Sequence, residues 1–405
     1  MEIFSDLQLH SKHAMATSKD MDLEHMAAGA KAKGLGLLGT GDFTHPAWLE
    51  ELKAKLQPMP GEGLFQYGGV RWMLSGEVST VYEQEGRTRK VHHLIYAPDF
   101  ETVGQVSAKL SHYGRLSSDG RPVLTGIDSA ELVETLSSIS QEVVIIPAHA
   151  WTPWFSVFGS KSGFDSLQEC YQDQTGKIFA LETGLSSDPQ MNWRLSQLDG
   201  VALVSNSDAH SPNPWRMGRE ANVLELARVT YREVFDSIRL RDPNRFLYTV
   251  EVDPAYGKYH YTGHKKCGVS MAPKTAMAAA NLCPVCKKRM TVGVLQRVEE
   301  LADRPDGYKP PGAIPFVRLL PLYEVISFAT GVNRLYAKGV VAEQDKLIGA
   351  FGSEFAVLLH ATAEELSRHT SREVVAAIIS LREGRMTVVP GYDGVYGMPE
   401  LGRRL

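Results

Sequence analysis

Val201–Ser211 (VALVSNSDAHS) runs from an apolar, β-branched stretch straight into Asp208-Ala209-His210. In extended chain, residues two apart leave on the same face, so a carboxylate and an imidazole would meet at one spot. Taken alone, the segment reads equally as a helix N-cap or Asx turn before Pro212. The pattern is repeated along the chain, however. DLQLHSK carries Gln8 and His10, GTGDFTH carries Asp42 and His45, and VVIIPAHAW ends near His149. FALETG contains Glu182, and LSGEVS places Glu77 behind a glycine that would let a metal or ligand approach closely. KVHHLIY holds adjacent His92 and His93, which alternate sides, so only one can face inward.

Packing alone would favour Val, Ile or Leu at these places, and burying so many ionisable groups without a cation is costly. Mixed imidazole and carboxylate donors suit zinc, manganese or iron(II), and their number points to two or three divalent ions. Zinc fits best, with Mg²⁺ or Mn²⁺ as alternatives. Multinuclear sites of this kind hydrolyse phosphate esters, because the ions steady both the attacking and the leaving oxygen. Asp208, His149 and Glu77 form the expected catalytic core of the set.

The elements needed to position these groups are legible as a βα alternation over residues 1–255, the pattern of a parallel sheet or barrel. Strands are expected at Glu2–His10, Gly36–Asp42, Arg71–Tyr82, Lys90–Ala97, Val143–His149, Ile178–Gly184, Val201–Asp208 and Arg245–Val252. Helices are expected at Asp22–Lys33, Pro46–Leu56, Ser129–Ser138 and Tyr231–Arg241. No GxGxxG or Walker sequence opens a helix, which leaves nucleotide binding of those kinds without support. Residues 150–164 hold Trp151, Trp154 and Phe155 among five aromatics directly after His149. They suit either a packed barrel rim or a wall on which an extruded nucleobase stacks. Arg194 and Arg216 lie in nearby loops and are candidate phosphate contacts.

A second metal signature follows. His264 and Cys267 form HxxC, and Cys283 and Cys286 form CxxC fifteen residues later, the paired knuckles of a tetrahedral structural zinc. His260 is a rival for the fourth ligand. The chain has four cysteines in 405 residues, too few for a disulfide framework. Its net charge is −4, yet residues 256–297 contain eight Lys or Arg and no acid. Lys265, Lys266, Lys287, Lys288 and Arg289 flank the knuckles and would contact a phosphate backbone. Beyond a Pro/Gly connector, residues 316–405 read as mostly helical, with a short strand and a Tyr/Gly turn near the end. No segment suits a membrane span or a signal peptide, so a cytoplasmic, nucleoid-associated protein is expected.

In order and spacing, Asp6-Leu7-Gln8-Leu9-His10, Asp42, Gly76-Glu77, His92/His93, His149 and Asp208-Ala209-His210 resemble the motifs of the polymerase and histidinol phosphatase (PHP) superfamily. The resemblance implies an α/β fold: a distorted (β/α)7 PHP-type barrel with a trinuclear metal site at its C-terminal face. One departure is Gln8, where the superfamily's first motif has His, so one ion would be weakly held or differently coordinated. Asp42 is the ligand expected from the altered second motif, with His45 as second choice. GTGDFTHPAWL, KVHHLIYAPDFE, LETGLSSDPQMNWRLSQLD, CPVCKKRM, GVLQRVEELADRPDGY and VPGYDGVYG extend the likeness to the endonuclease Q family over the whole chain. That implies a barrel (1–255), a basic zinc module (256–297) and a connector with a helical C-terminal domain (298–405). It also implies a DNA-repair endonuclease cutting 5′ to deaminated bases (uracil, hypoxanthine, xanthine) and abasic sites, with recruitment by a sliding clamp or other repair factor. Two alternatives are a small-molecule phosphoesterase of the histidinol-phosphate type, which leaves the basic module without a purpose, and a non-catalytic DNA-binding protein with a decayed metal site.

Overall fold

The computed structural model describes residues 1–332, 334 and 336–401. The last four residues of the expected C-terminal region, 402–405, lie outside the described residues. Seven strands carry the site: β1 (Glu2–Asp6), β2 (Leu37–Gly39), β3 (Val70–Gln84), β4 (Arg87–Ala97), β5 (Val144–Pro147), β6 (Ala180–Glu182) and β7 (Ala202–Val204). β1 pairs with β2, and β2 with β3, in parallel; β6 and β7 are also a parallel pair. The two open steps are bridged just beyond the strand ends. Ala150 donates its N–H to Glu182 O at 3.0 Å between β5 and β6, and Leu9 bridges to Ala209 beyond β7 and β1.

The expected all-parallel alternation fails at β4, which runs antiparallel to both β3 and β5. No helix intervenes between β3 and β4. Glu85 and Gly86 both have positive φ (53° and 70°), the two-residue hairpin geometry that matches strand twist. Elsewhere the four expected helices form, and three of them are capped by their own sequence. Asp22, Asp128 and Thr230 each accept an N–H from the first turn of helices Leu23–Lys33, Ser129–Ile139 and Tyr231–Leu240. The first and seventh strands are shorter than the expected ones. The seventh strand stops at Val204, well before Asp208, because the chain there turns to pair its polar side chains with β1.

The sheet continues outward from β1 through β8 (Ala221–Glu225) and β9 (Phe246–Glu251), both antiparallel steps. The small hairpin of β10 (Thr262–His264) and β11 (Val269–Met271) frames the cysteine knuckles. Unexpectedly, the connector then returns as β12 (Phe316–Arg318), which joins β9 in parallel. Helices Leu322–Thr330, Lys338–Phe351 and Arg372–Arg382 follow, and their buried Val325, Ile326, Leu347, Val374 and Ile378 belong to the same apolar core as the strand circuit. A buried ion pair crosses this junction: Lys33 Nζ lies 2.6 Å from Glu354 Oε1. The Tyr/Gly turn near the end packs on the cysteine module, where Asp393 accepts from Lys265 N at 2.6 Å and Thr291 Oγ1 at 2.7 Å.

At the end of β9, Glu251 is fully buried and accepts from Thr249 Oγ1 (2.6 Å), Thr183 Oγ1 (3.3 Å) and Ser205 Oγ. Burial pushes its carboxyl up to about 8 from 4.5. A carboxyl raised on folding contributes stability that is complete below its unfolded value and is lost as pH climbs through about 8. Glu251→Gln should therefore flatten the fall in thermal midpoint between pH 5 and 9, gaining stability at the alkaline end. Circular dichroism melts across that range check it; an unchanged slope would assign the pH dependence elsewhere.

Candidate metal centre

Register decides which histidine of the adjacent pair faces the site. His92 stands opposite Ser79 and His93 opposite Val78, and since side chains alternate, His92 shares the face of Glu77. His92 Nδ1 lies 2.6 Å from Glu77 Oε1. His93 points the other way, within 3.1 Å of Tyr171 Oη and of Thr80 Oγ1. Burial lowers His93 to about 3, so it is a neutral core residue.

Two triads result. Glu77, His92 and His149 offer ligand atoms within 4.8 Å of one another, as do His10, Asp208 and His210. Glu77 joins them: its Oε1 is 3.4 Å from His149 Nε2, and its Oε2 is 3.1 Å from His10 Nε2. His10 Nε2 and Asp208 Oδ1 face each other at 3.0 Å, yet both are buried without a hydrogen-bond partner. Two orphaned polar atoms at one point, ringed by imidazoles and carboxylates, fit a divalent cation. Apart from the His264–Cys286 group described below, no third cluster of this kind forms among the described residues.

Three of the remaining expected ligands, Gln8, Asp42 and Glu182, contact members of these six. Gln8 donates from Nε2 to Glu77 Oε2 at 2.9 Å, which steers the carboxylate and leaves Gln8 Oε1 unpartnered. Asp42 is spent on His10 Nδ1 (3.0 Å), Ser11 N (2.5 Å) and Ser11 Oγ (2.7 Å), so it orients a donor imidazole. Glu182 accepts from His149 N at 2.7 Å and Asn206 Nδ2 at 2.7 Å; burial raises it to about 8. His45 stacks on His13 at 4.5 Å, outside both triads. Gly76 does not open space for a ligand; a side chain there would meet the Phe43 ring at 3.4 Å.

Asp42, His149 and Asp208 all have positive φ, at 49°, 29° and 49°. Non-glycine residues pay for that conformation, and three such cases on one site mark stored strain. The extended backbone expected from Asp208 to His210 is therefore absent; the two converge because His210 Nδ1 sits 2.9 Å from Asp208 O in a turn.

Electrostatics follow the packing. Burial alone would lower His10, but Asp42, Asp208 and Glu77 overcome it and hold the imidazole well above its ordinary value. Burial likewise opposes charge on Glu77, and Arg121, His92 and His10 more than reverse it, keeping the carboxylate ionised. Arg121 had no signal in the sequence, since SSDGRP reads as an ordinary turn. Asn206 was missed for the same reason; its Oδ1 accepts from Leu7 N at 2.8 Å and ties β7 to β1.

The loop that carries Arg121 also presses on the site. A Cβ on Gly120 would fall 2.3 Å from Asp42 Oδ2. Gly120→Ala should displace Asp42, loosen His10, and weaken metal affinity by about 10- to 100-fold, the usual cost of losing a partner behind a ligand. Calorimetric metal titration measures this, and unaltered affinity would show that Asp42 does not position His10.

His264, Cys267, Cys283 and Cys286 form the third group, also within 4.8 Å, and His264 Nδ1 lies 3.5 Å from Cys286 Sγ. His260 is outside it, stacked on Tyr261. Lys265, Lys266, Lys287, Lys288 and Arg289 are all exposed, and none is in an ion pair among the described residues. The aromatic loop divides. Trp151 is buried, donating to Asn192 Oδ1 at 2.8 Å, and serves as core. Trp154 is 44% exposed, while Phe155 packs on His92 at 4.7 Å. Arg194 is buried and paired with Glu299 at 2.7 Å, linking the loop after Glu182 to helix Val294–Leu301. It has no free face for DNA. Arg216 is partly exposed beside Arg219 and Glu324.

Fold and donor set define a mixed α/β protein built to hold divalent metals where its strand circuit opens. A family model described as the MJ0043 C-terminal domain matches residues 321–385. The uncharacterized protein YqxK of Bacillus subtilis is 30% identical over 98% of both chains. The uncharacterized protein MJ0043 of Methanocaldococcus jannaschii is 34% identical over 62% of this chain and 31% of its own length. Among solved structures, the lesion-specific endonuclease PfuEndoQ of Pyrococcus furiosus superposes with a TM-score of 0.89 at 35% identity, covering 99% of this chain and 96% of that one. Endonuclease Q in complex with a 27-mer duplex carrying an abasic lesion at its active site gives 0.88 at 34%, over 99% and 97%. The chain belongs to the endonuclease Q family.

Proposed function

We infer that this protein is a metal-dependent DNA-repair endonuclease that hydrolyses the phosphodiester 5′ to deaminated bases and abasic sites. The observation that carries the reading is the pair of acid–imidazole triads joined through Glu77, in a chain that superposes end to end on a lesion-specific endonuclease. The strand circuit is then a distorted (β/α)7 barrel of the PHP type, followed by a zinc module and a helical domain. In this reading His10, Glu77, His92, His149, Asp208 and His210 hold two ions, and His264, Cys267, Cys283 and Cys286 hold a structural zinc. Bound divalent ions supply Lewis acidity at a phosphoryl oxygen and acidify water. The chain does the rest. Gln8 and Asp42 aim Glu77 and His10, and Glu182 holds the strained backbone of His149. The basic module grips the phosphate backbone, and Trp154 with Phe155 offers faces for an extruded base. Recruitment by a sliding clamp or other repair factor, at the nucleoid, is an expectation of the same role.

The test is cleavage of labelled duplexes carrying one deoxyuridine, one abasic site or no lesion, in Mg²⁺, Mn²⁺ and Zn²⁺ and after chelation. A metal-dependent nick immediately 5′ to the lesion is expected. Turnover of p-nitrophenyl phosphate or histidinol phosphate without nicking would replace the reading with a small-phosphoester hydrolase.

A further inference from the structure

We propose that Arg121 is the phosphate clamp of this site, gripping non-bridging oxygens of the scissile phosphodiester; the assignment rests on the function inferred above. Arg121 follows the short 3₁₀ turn Leu116–Ser118, on a loop held at both flanks. Gly120 N donates to His13 O at 3.1 Å, Ser79 N to Pro122 O at 3.0 Å, and Arg121 N to Asp119 Oδ1 at 3.1 Å. The backbone is thus fixed against Asp42.

From there the guanidinium reaches inward. Its Nη1 lies 3.6 Å from Glu77 Oε1, and its side chain stays 27% exposed. Glu77, Asp208, Asp119 and Asp42 all act on its charge, so it is surrounded by carboxylates: Glu77 from within β3, Asp42 and Asp208 from the segments beyond β2 and β7, and Asp119 from its own loop. At 3.6 Å the contact with Glu77 is too long for a hydrogen bond. Among the described residues the guanidinium donates to no protein acceptor, so its planar fork of five N–H groups is free. That is an unusual arrangement: a cation fixed beside a site that must also hold cations weakens their binding. The repulsion is offset when an anion sits between them, and a phosphodiester gaining negative charge in the transition state is such an anion. A fork matches two phosphoryl oxygens, which a lysine ammonium cannot do with the same geometry.

The experiment uses the full-length, metal-loaded protein as wild type, Arg121→Met and Arg121→Lys. Three quantities are read: metal content by mass spectrometry, inorganic phosphate affinity by calorimetry, and single-turnover cleavage of an abasic duplex. Because the guanidinium makes no internal hydrogen bond, both variants should fold with full metal content. Arg121→Met should bind phosphate at least about tenfold more weakly and cleave about 10²- to 10³-fold more slowly, with Arg121→Lys recovering only part of either loss. Phosphate affinity within twofold of wild type would overturn the clamp, as would loss of metal in Arg121→Met, which would make the residue a support for Glu77. If wild type fails to nick the abasic duplex while phosphate binding still depends on Arg121, the clamp stands and the endonuclease reading falls.

Discussion

Asp208→Asn should abolish lesion cleavage while sparing DNA binding. The substitution is nearly isosteric, and Asn is among the few residues that tolerate the left-handed backbone this position adopts, φ 49°. What it removes is charge. Asp208 Oδ1 points at His10 Nε2 from 3.0 Å with no hydrogen-bond partner of its own, and its carboxyl is held below the ordinary range. Burial would raise it, but His10 overrides that effect. The oxygen is thus kept ionised at a point where only a cation would satisfy it. An amide is a far weaker donor to a divalent ion, so turnover should fall by about 10³-fold or more. Affinity for the lesion duplex should stay within a few fold, because the amide removes a negative charge facing the phosphate. Single-turnover rates and fluorescence anisotropy on one preparation separate the two effects. Near-normal turnover would take Asp208 out of the catalytic site.

The second large effect lies at the cysteine module. Cys283 is fully buried and forms a small apolar cluster of its own with Ala276 and Met290. So small a cluster offsets little of the entropy of ordering about forty residues, so metal binding is expected to supply much of the folding free energy. Backbone N–H groups of Cys286 and Val285 overcome the effect of burial and bring the Cys283 thiol down to about 6, ready to ligate as thiolate. Cys283→Ser should cost the metal ion bound at this Cys/His group and unfold the module. The five exposed cations beside it would then lose their fixed geometry. Affinity for undamaged duplex should drop by about tenfold or more, and the slope of log K against log salt should become shallower, since each lost phosphate contact removes about one unit. The two acid–imidazole triads share no residue with the module, so metal content at those triads should persist. An unchanged salt slope would show that the module does not hold the backbone.

Much of the metal centre was legible because its donors are chemically conspicuous. His10, Glu77, His149, Asp208 and His210 break apolar runs where packing would select aliphatic residues, and the HxxC and CxxC knuckles chelate from turns whose spacing is fixed locally. The capped helices were legible for the same local reason: Asp22, Asp128 and Thr230 satisfy N–H groups within three residues of themselves. The first and seventh strands look longer in the sequence than in the fold because the polar tails Leu7–His10 and Ser205–His210 continue the alternation while leaving the ladder to bond across the circuit.

Other features came only from tertiary structure. Adjacent His92 and His93 differ in nothing but the parity of their register against β3, which is a pairing between strands. Asp42 and Gln8 carry the chemistry of ligands, yet they act on His10 and Glu77, because what lies within 3 Å of a carboxylate depends on residues 32 and 69 positions away. Arg194 and Trp151 have the composition of DNA contacts but were drawn into the core by Glu299 and Asn192. Arg121 sits in an unremarkable turn and acquires its meaning from the carboxylates around it, Glu77 above all. Donor identity and local spacing are properties of the chain by itself; distance, burial and the resulting charge state are long-range quantities that exist only once the strands have closed on one another.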